Sequence, residues 1–256
     1  MNVSIVVLLF VFHVLESAAA FQLQNIAPPP TALGDGCGTT GFRNRRTLSH
    51  SLLCANAGGD MESPPKQLPK AIIFDLDGCL WSPEMYEIMY FMGGQGAPFR
   101  EDPNNSPNLL TSGGRPVKLL GDVRSVFEEM HTQPCYGDTQ IGISSRTDEP
   151  NWARELLEKF KIAAHENGKP VCIADVLNGP IEIAQDSKVA HFERIRSATG
   201  IDYKDMVFFD NEFGNCERVS SLGVSVVYCP KGVTRKLWER GVRLEFPSSD
   251  GSVING

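Results

Sequence analysis

Two aspartates with one residue between them, Asp75 and Asp77, follow directly on the apolar stretch AIIF at 71–74. Burying one carboxylate at the end of a core strand costs free energy, and burying two costs more. A pair with this spacing can divide the work of catalysis, because one carboxylate can attack while the other, on the opposite face of the chain, transfers a proton. The spacing therefore indicates carboxylate-based covalent catalysis.

Polar side chains also follow two other apolar stretches of the chain. Ser145 and Arg146 come after one of them, and Asp210 comes after the other. Ligands of open parallel sheets bind beyond the carboxyl ends of the strands, so we expect these groups to meet the aspartate pair in one crevice. Lys188 lies in the first turn of a predicted helix and can reach the same place.

Together these groups have the chemistry of a phosphate site with a bound cation. Clustered carboxylates repel one another unless a cation neutralises them. Hard oxygen ligands without His or Cys select Mg²⁺, which commonly binds substrate phosphate as well. A lysine, an arginine and a serine hydroxyl supply donors for phosphate oxygens. The residues thus predict a magnesium-dependent reaction on a phosphate ester.

Apolar stretches typical of strands alternate with helical patterns along the chain. The alternation predicts an α/β fold, a doubly wound parallel sheet covered on both faces. The region 82–118 interrupts the alternation and is predicted to be a flap or loop over the sheet edge. The predicted strands are 71–74, 140–144, 171–174, 206–209 and 224–228, and the predicted helices are 120–133, 151–160, 186–199 (with Asp186 as its cap) and 215–222.

The first 65 residues have a different composition from the rest. An apolar stretch and small residues indicate a signal peptide over 1–20, and a Gly-, Pro-, Ser- and Arg-rich segment indicates a disordered transit peptide and linker over 21–65. This outline, with Phe21 after the small residues, resembles the bipartite presequence of algal plastid proteins. We expect plastid import, with secretion or an endomembrane lumen as the alternative. A folded domain is predicted over 66–245 and a flexible tail over 246–256.

The charge balance argues against nucleic acid as a partner. The net charge is −7 over 256 residues, and residues 1–60 carry three basic and three acidic residues, so the excess of acid lies in the remainder. An acidic body disfavours binding that depends on phosphate-backbone contacts.

The seven cysteines show neither a CxxC motif nor zinc spacing. We expect a monomer with no membrane segment in the mature form.

Four motifs in order, DLDGCLW, ISSRT, DSKVAHFERI and FFDNE, resemble the haloacid dehalogenase (HAD) superfamily of aspartate-nucleophile phosphatases. The closer resemblance is to the magnesium-dependent phosphatase type 1 group. The resemblance implies an aspartyl-phosphate on Asp75, with Asp77 as general acid and then general base. It also implies Mg²⁺ held by the Asp75 carboxylate, the Asp77 carbonyl and Asp210. The implied phosphoryl-binding residues are Ser145, Arg146 and Lys188.

The sequence departs from that pattern at two positions. Cys79 stands where the family usually has Thr, and Asn211 stands where it often has a second Asp. The loss of that charge is expected to lower Mg²⁺ affinity without removing a direct ligand. The gaps between motifs leave no room for a large cap domain, so we expect a capless site open to a phosphorylated protein side chain, such as phosphotyrosine, or to a small sugar phosphate.

Two other functions use similar residues. A haloacid dehalogenase shares the scaffold without Mg²⁺, but it does not need the leaving-group acid that Asp77 supplies. A non-enzymatic, phospho-accepting receiver module also clusters acids, a hydroxyl and a lysine on a parallel sheet. A receiver accepts phosphate on a later strand, whereas the acidic pair here follows the first predicted strand.

Overall fold

A parallel sheet of six strands forms the centre of the fold in the computed structural model, with strand order β12-β11-β10-β1-β6-β9. The structure describes residues 67–104, 106–165, 167–248 and 252–255. The predicted signal and transit peptides, 1–20 and 21–65, lie outside the described residues. The strands are β1 (Ala71–Phe74), β2 (Trp81–Ser82), β3 (Arg100–Glu101), β4 (Leu109–Leu110), β5 (Pro116–Leu119), β6 (Gln140–Ser145), β7 (Lys161–Ala164), β8 (Pro170–Cys172), β9 (Ile181–Ile183), β10 (Met206–Asp210), β11 (Ser225–Tyr228) and β12 (Val253–Asn255).

Helices cover both faces of this sheet, as expected of a doubly wound fold. On one face Phe74 of β1 packs against Phe127 and Phe209, with ring centroids 5.1 and 5.2 Å apart. On the other face Phe208 packs against Phe192, with centroids 5.0 Å apart. The helices are α1 (Met85–Phe91), α2 (Val123–Thr132), α3 (Pro150–Lys159), α4 (Ile173–Val176), α5 (Lys188–Thr199), α6 (Phe213–Ser220) and α7 (Arg235–Glu239). The predicted fold class is confirmed.

Local sequence explains why α5 begins where it does. The Ser187 hydroxyl accepts a hydrogen bond from the Ala190 N–H, so Ser187, not the predicted Asp186, is the N-terminal cap. The helix ends at Gly200, whose φ of 70° is readily adopted only without a side chain. These two signals place Lys188 at the first helical position, directed at the carboxyl edge of the sheet.

The region 82–118 has more regular structure than the predicted flap or loop. It contains α1 and, with Trp81, a four-stranded antiparallel sheet of order β2-β5-β4-β3. We call residues 81–119 the insert, because they lie in the chain between β1 and β6. Its core is apolar, since Trp81, Phe99, Leu109 and Val117 are buried. Short strands with few apolar residues each carry little strand signal, which is why the sequence pattern missed them.

Two further expectations are wrong in part. The predicted strand 171–174 is divided between β8, which pairs with β7 in an antiparallel hairpin, and α4. The parallel sheet is instead extended by β9, which pairs with β6. The predicted flexible tail 246–256 contains β12, which pairs in parallel with β11. Both β9 and β12 are three-residue edge strands, too short to show a periodic pattern.

No helix in the described part of the chain is long and apolar enough to cross a membrane.

Candidate active site

The ends of β1, β6 and β10 meet at one edge of the sheet. Phe74 of β1 is in register with Phe209 of β10 and with Ile143 of β6. The Asp75 N–H donates to the Phe209 carbonyl at 2.9 Å, which places Asp75 beside Asp210. Both side chains are almost wholly removed from solvent. The register of three parallel strands therefore brings the predicted acids together.

The buried ammonium group of Lys188 joins these strand ends. Its Nζ lies 2.5 Å from Asp75 Oδ1 and 3.3 Å from Asp210 Oδ2, and it also donates to the Ser144 carbonyl. Burial alone would lower the pKa of this lysine, but the two carboxylates raise it above its usual value. Lys188 therefore stays protonated, and it partly offsets the cost of burying two acids.

Burial raises the pKa values of both of these aspartates. For Asp210, burial and repulsion from Asp75 raise the pKa to about 7, against the opposing effect of Lys188. Asp210 Oδ1 accepts a hydrogen bond from the Glu212 N–H at 2.7 Å, and its Oδ2 accepts one from Asn215 Nδ2 at 3.3 Å. One ammonium thus leaves the acid cluster incompletely neutralised, and a cation would complete the neutralisation.

Asp77 faces the same cavity from the loop after β1. Burial and the neighbouring Asp75 raise its pKa to about 7. A carboxyl group with a pKa near neutrality can both give and take a proton at physiological pH. Two hydrogen bonds hold it, one from the Trp81 indole and one from the Met85 N–H. Asp77 therefore has the proton affinity that a general acid and base needs.

The Asn211 side chain lies across the two catalytic candidates. Its amide contacts the Asp77 carbonyl oxygen at 3.0 Å and Asp75 Oδ2 at 3.2 Å, with Nδ2 as the donor to both. Gly78 leaves the room for it, since a Cβ there would lie 2.2 Å from the amide. If the amide rotated so that its oxygen took the position of Nδ2, three oxygens would face one point, namely the Asn211 amide oxygen, the Asp77 carbonyl oxygen and Asp75 Oδ2. Asn211 therefore contacts both catalytic candidates directly, which the sequence alone did not predict.

A cavity of about 380 Å³ opens beside these groups. The predicted Arg146 is exposed and lines it, but the predicted Ser145 does not, and its buried Oγ has no hydrogen-bond partner among the described residues. Several other rim residues were not predicted from the sequence, although each lies within about ten positions of a predicted site residue in the chain. The lining residues are Asp75, Asp77, Glu84, Tyr86, Arg146, Thr147, Asp148, Gln185, Lys188, Glu212 and Asn215.

The oxygen atoms at this edge suit a hard divalent cation. In the described part of the chain no three His, Cys, Asp or Glu side chains are arranged to hold a metal ion. The available protein ligands are carboxylate, backbone carbonyl and amide oxygens, and Mg²⁺ typically takes few protein ligands and keeps several waters. The donor set therefore fits Mg²⁺ and offers none of the sulfur or imidazole ligands of zinc.

A doubly wound sheet with paired aspartates after its first strand, and a buried lysine against the first of them, is the arrangement of a hydrolase of the HAD class. Residues 67–245 match the acid phosphatase family, and the chain belongs to that family. It is 29% identical over 195 residues to human magnesium-dependent phosphatase 1, covering 73% of this chain and 93% of the relative. It is 30% identical over 159 residues to a HAD-like hydrolase superfamily protein of Schizosaccharomyces pombe, covering 62% and 84%.

Among solved structures, the chain is similar to a HAD family enzyme, bt-2542, from Bacteroides thetaiotaomicron. The TM-score is 0.44 at 12% sequence identity, with 66% of this chain and 98% of that chain covered.

Proposed function

We propose that this protein is a Mg²⁺-dependent phosphomonoesterase that works through an aspartyl-phosphate on Asp75. The observation that carries the proposal is the contact of Asp75 with the buried Lys188 at 2.5 Å, at the base of a polar cavity. A carboxylate beside a fixed ammonium can approach an anionic phosphoryl group that it would otherwise repel. Membership of the acid phosphatase family supports the same reaction class.

The two aspartates would act in turn. The Asp75 carboxylate attacks phosphorus, the bond from phosphorus to the ester oxygen breaks, and Asp77 gives its proton to that oxygen, so that an alcohol leaves. A water molecule then attacks phosphorus, Asp77 takes a proton from it, and inorganic phosphate and free Asp75 result. Lys188 and Arg146 would hold the phosphoryl oxygens.

Magnesium, which the name of the human relative carries, fits the oxygen donors of this site. When bound, the cation neutralises charge on the phosphoryl oxygens and on the acids. The Asp75 carboxylate and the Asp77 carbonyl would hold it, and Asp210 stays the predicted third ligand. Asn211 offers an amide oxygen beside the first two, so it is an additional candidate.

The proposed substrate is a phosphorylated protein side chain such as phosphotyrosine, or a small sugar phosphate. Tyr86 lies on the rim of the cavity with 44% of its surface exposed, so an aromatic leaving group has a ring to pack against. Acidic side chains on the rim, Glu84, Asp148 and Glu212, disfavour strongly anionic leaving groups. We propose a monomer without a nucleic-acid partner or a membrane segment in the mature form.

The metal requirement tests this function directly. We expect the full-length protein to release inorganic phosphate from phosphotyrosine peptides or sugar phosphates. This activity should be lost in EDTA and restored by added Mg²⁺. A matched assay follows halide release from a 2-haloacid. Halide release without phosphate release would favour the dehalogenase alternative, and phosphate release that persists in EDTA would reject the metal.

We also propose that residues 1–65 direct the protein to the plastid. A fluorescent protein fused to this segment in an alga with a complex plastid is expected to accumulate inside the plastid. The matched control is the same fusion with Phe21→Ala, which we expect to stop before the plastid interior. Fluorescence of the unmodified fusion in the medium would show secretion instead.

A further inference from the structure

The insert, rather than the parallel sheet, holds the carboxyl group of Asp77. The Trp81 indole Nε1 donates to Asp77 Oδ1 at 2.7 Å, and the Met85 backbone N–H donates to Oδ2 at 3.2 Å. Trp81 is the first residue of β2, and Met85 is the first residue of α1. Each carboxyl oxygen therefore has one donor, and both donors belong to the segment between β1 and β6.

The Trp81 side chain is itself fixed by its surroundings. It is fully buried, and its ring stacks on that of Phe160, the residue after α3, with centroids 6.1 Å apart and an angle of 24° between the planes. Its backbone is fixed as well, because its carbonyl accepts a hydrogen bond from the Gly78 N–H at 2.9 Å and its strand pairs with Leu119 of β5. The indole N–H thus has little freedom to leave Asp77.

We propose that Trp81 is a positioning residue that sets the plane of the Asp77 carboxyl group for proton transfer to the leaving group. A carboxyl oxygen has two lone-pair sites, and each of the two N–H donors occupies one. Each oxygen keeps a second site, so one of them can carry the transferable proton, and Asp77 lines the cavity into which that proton would be given. The inference rests on the proposed function and adds a role for the insert.

The role predicts a dependence on the leaving group. While the bond from Asp75 to phosphorus forms and the bond from phosphorus to the ester oxygen breaks, an alkoxide leaving group needs the Asp77 proton. A p-nitrophenolate leaving group is stable as an anion and departs without it. Loss of the indole N–H should therefore slow hydrolysis of an alkyl phosphate strongly and hydrolysis of p-nitrophenyl phosphate little.

The test is Trp81→Phe in the full-length protein with Mg²⁺, since Phe keeps a ring against Phe160 while removing the donor. We expect kcat/KM to fall roughly 10- to 100-fold for an alkyl phosphate, because a displaced catalytic group costs this order of rate. For p-nitrophenyl phosphate we expect a fall of about 3-fold or less, and for phenyl phosphate an intermediate value. The leaving-group dependence should become steeper than in the wild type.

Trp238→Phe is the matched control. Trp238 is also a fully buried indole, but its Nε1 donates to Glu129 Oε1 at 3.2 Å and not to Asp77. We expect this variant to change all three esters by the same factor. A uniform change in Trp81→Phe as well would reduce Trp81 to a packing residue and overturn the inference.

A second variant tests the other donor. Met85→Pro removes the N–H at the first helical position, where proline is well tolerated, and the extended backbone of Glu84 suits a following proline. We expect the same preferential loss on the alkyl phosphate, and equal losses on all esters would contradict the inference. Failure of the proposed function is distinguishable, because the wild-type protein would then hydrolyse none of the three esters.

Discussion

Asp75→Asn is expected to abolish phosphatase turnover while leaving the fold intact. Asn has the shape of Asp but is not a nucleophile, so the covalent step has no substitute, and we expect kcat to fall on the order of 10⁴-fold or more. Phosphate release from the substrate that the wild type hydrolyses best measures the loss. Circular dichroism and thermal unfolding should show that the variant is folded.

The fold should survive because Lys188 keeps a second carboxylate. In the wild type its Nζ lies 3.3 Å from Asp210 Oδ2 as well as against Asp75. The matched control is Asp202→Asn, at an exposed side chain that pairs with Arg196. We expect wild-type turnover from this control. Normal turnover by Asp75→Asn would remove Asp75 as the nucleophile.

Lys188→Met is expected to be the most destabilising of the substitutions considered. The side chain is 1% exposed, and removing one partner of a buried ion pair typically costs about 3–5 kcal/mol, since the other charge is left uncompensated. Turnover should be lost too, because no fixed ammonium then faces the phosphoryl group. Urea unfolding of metal-free protein measures the free energy, and Lys70→Met, at an exposed surface pair with Asp205, is a control expected to change it little.

The destabilisation of Lys188→Met should grow with pH. Burial already raises the pKa values of Asp75 and Asp210, that of Asp210 to about 7, and loss of Lys188 raises both further. An acid whose pKa is higher in the folded state than in the unfolded chain destabilises the fold as pH rises above its unfolded value. We therefore expect a smaller deficit near pH 5 than near pH 8. A deficit that is equal at both, or larger at low pH, would contradict this electrostatic account.

The sequence was sufficient to predict four of the six strands of the central sheet and the acidic residues at its carboxyl edge. The strands β1 and β10 contain continuous apolar runs, β6 carries Ile141 and Ile143, and parallel pairing brings the carboxyl ends of such strands to the same edge. Asp75 and Asp210 meet for this reason. Lys188 joins them because the cap residue before it begins α5 and so places the lysine at the first helical position, beside the strand ends. These signals are local and need no knowledge of tertiary contacts.

What the sequence did not predict depends on contacts between distant segments. Trp81 stands four residues after Asp77 within a recognised motif, but its role requires that the chain fold back so that the indole reaches the carboxyl group. Asn211 was predicted to change only the charge, whereas its amide lies within hydrogen-bond distance of Asp75 and Asp77. Ser145 was predicted to follow a strand and to hold phosphate, but it is the last residue of β6, and its buried side chain is not part of the cavity lining. Side-chain direction at a strand end is a property of the packed structure.

The most direct test of the account is the detection of the phosphoryl group on Asp75. Full-length protein with Mg²⁺ and excess substrate is quenched in acid within its first turnovers, digested and examined by mass spectrometry. We predict a phosphorylated peptide that contains Asp75, that is absent in Asp75→Asn and that disappears once substrate is exhausted. Turnover with phosphate on another residue, or with no phosphorylated peptide under conditions that trap the steady state, would contradict covalent catalysis by Asp75.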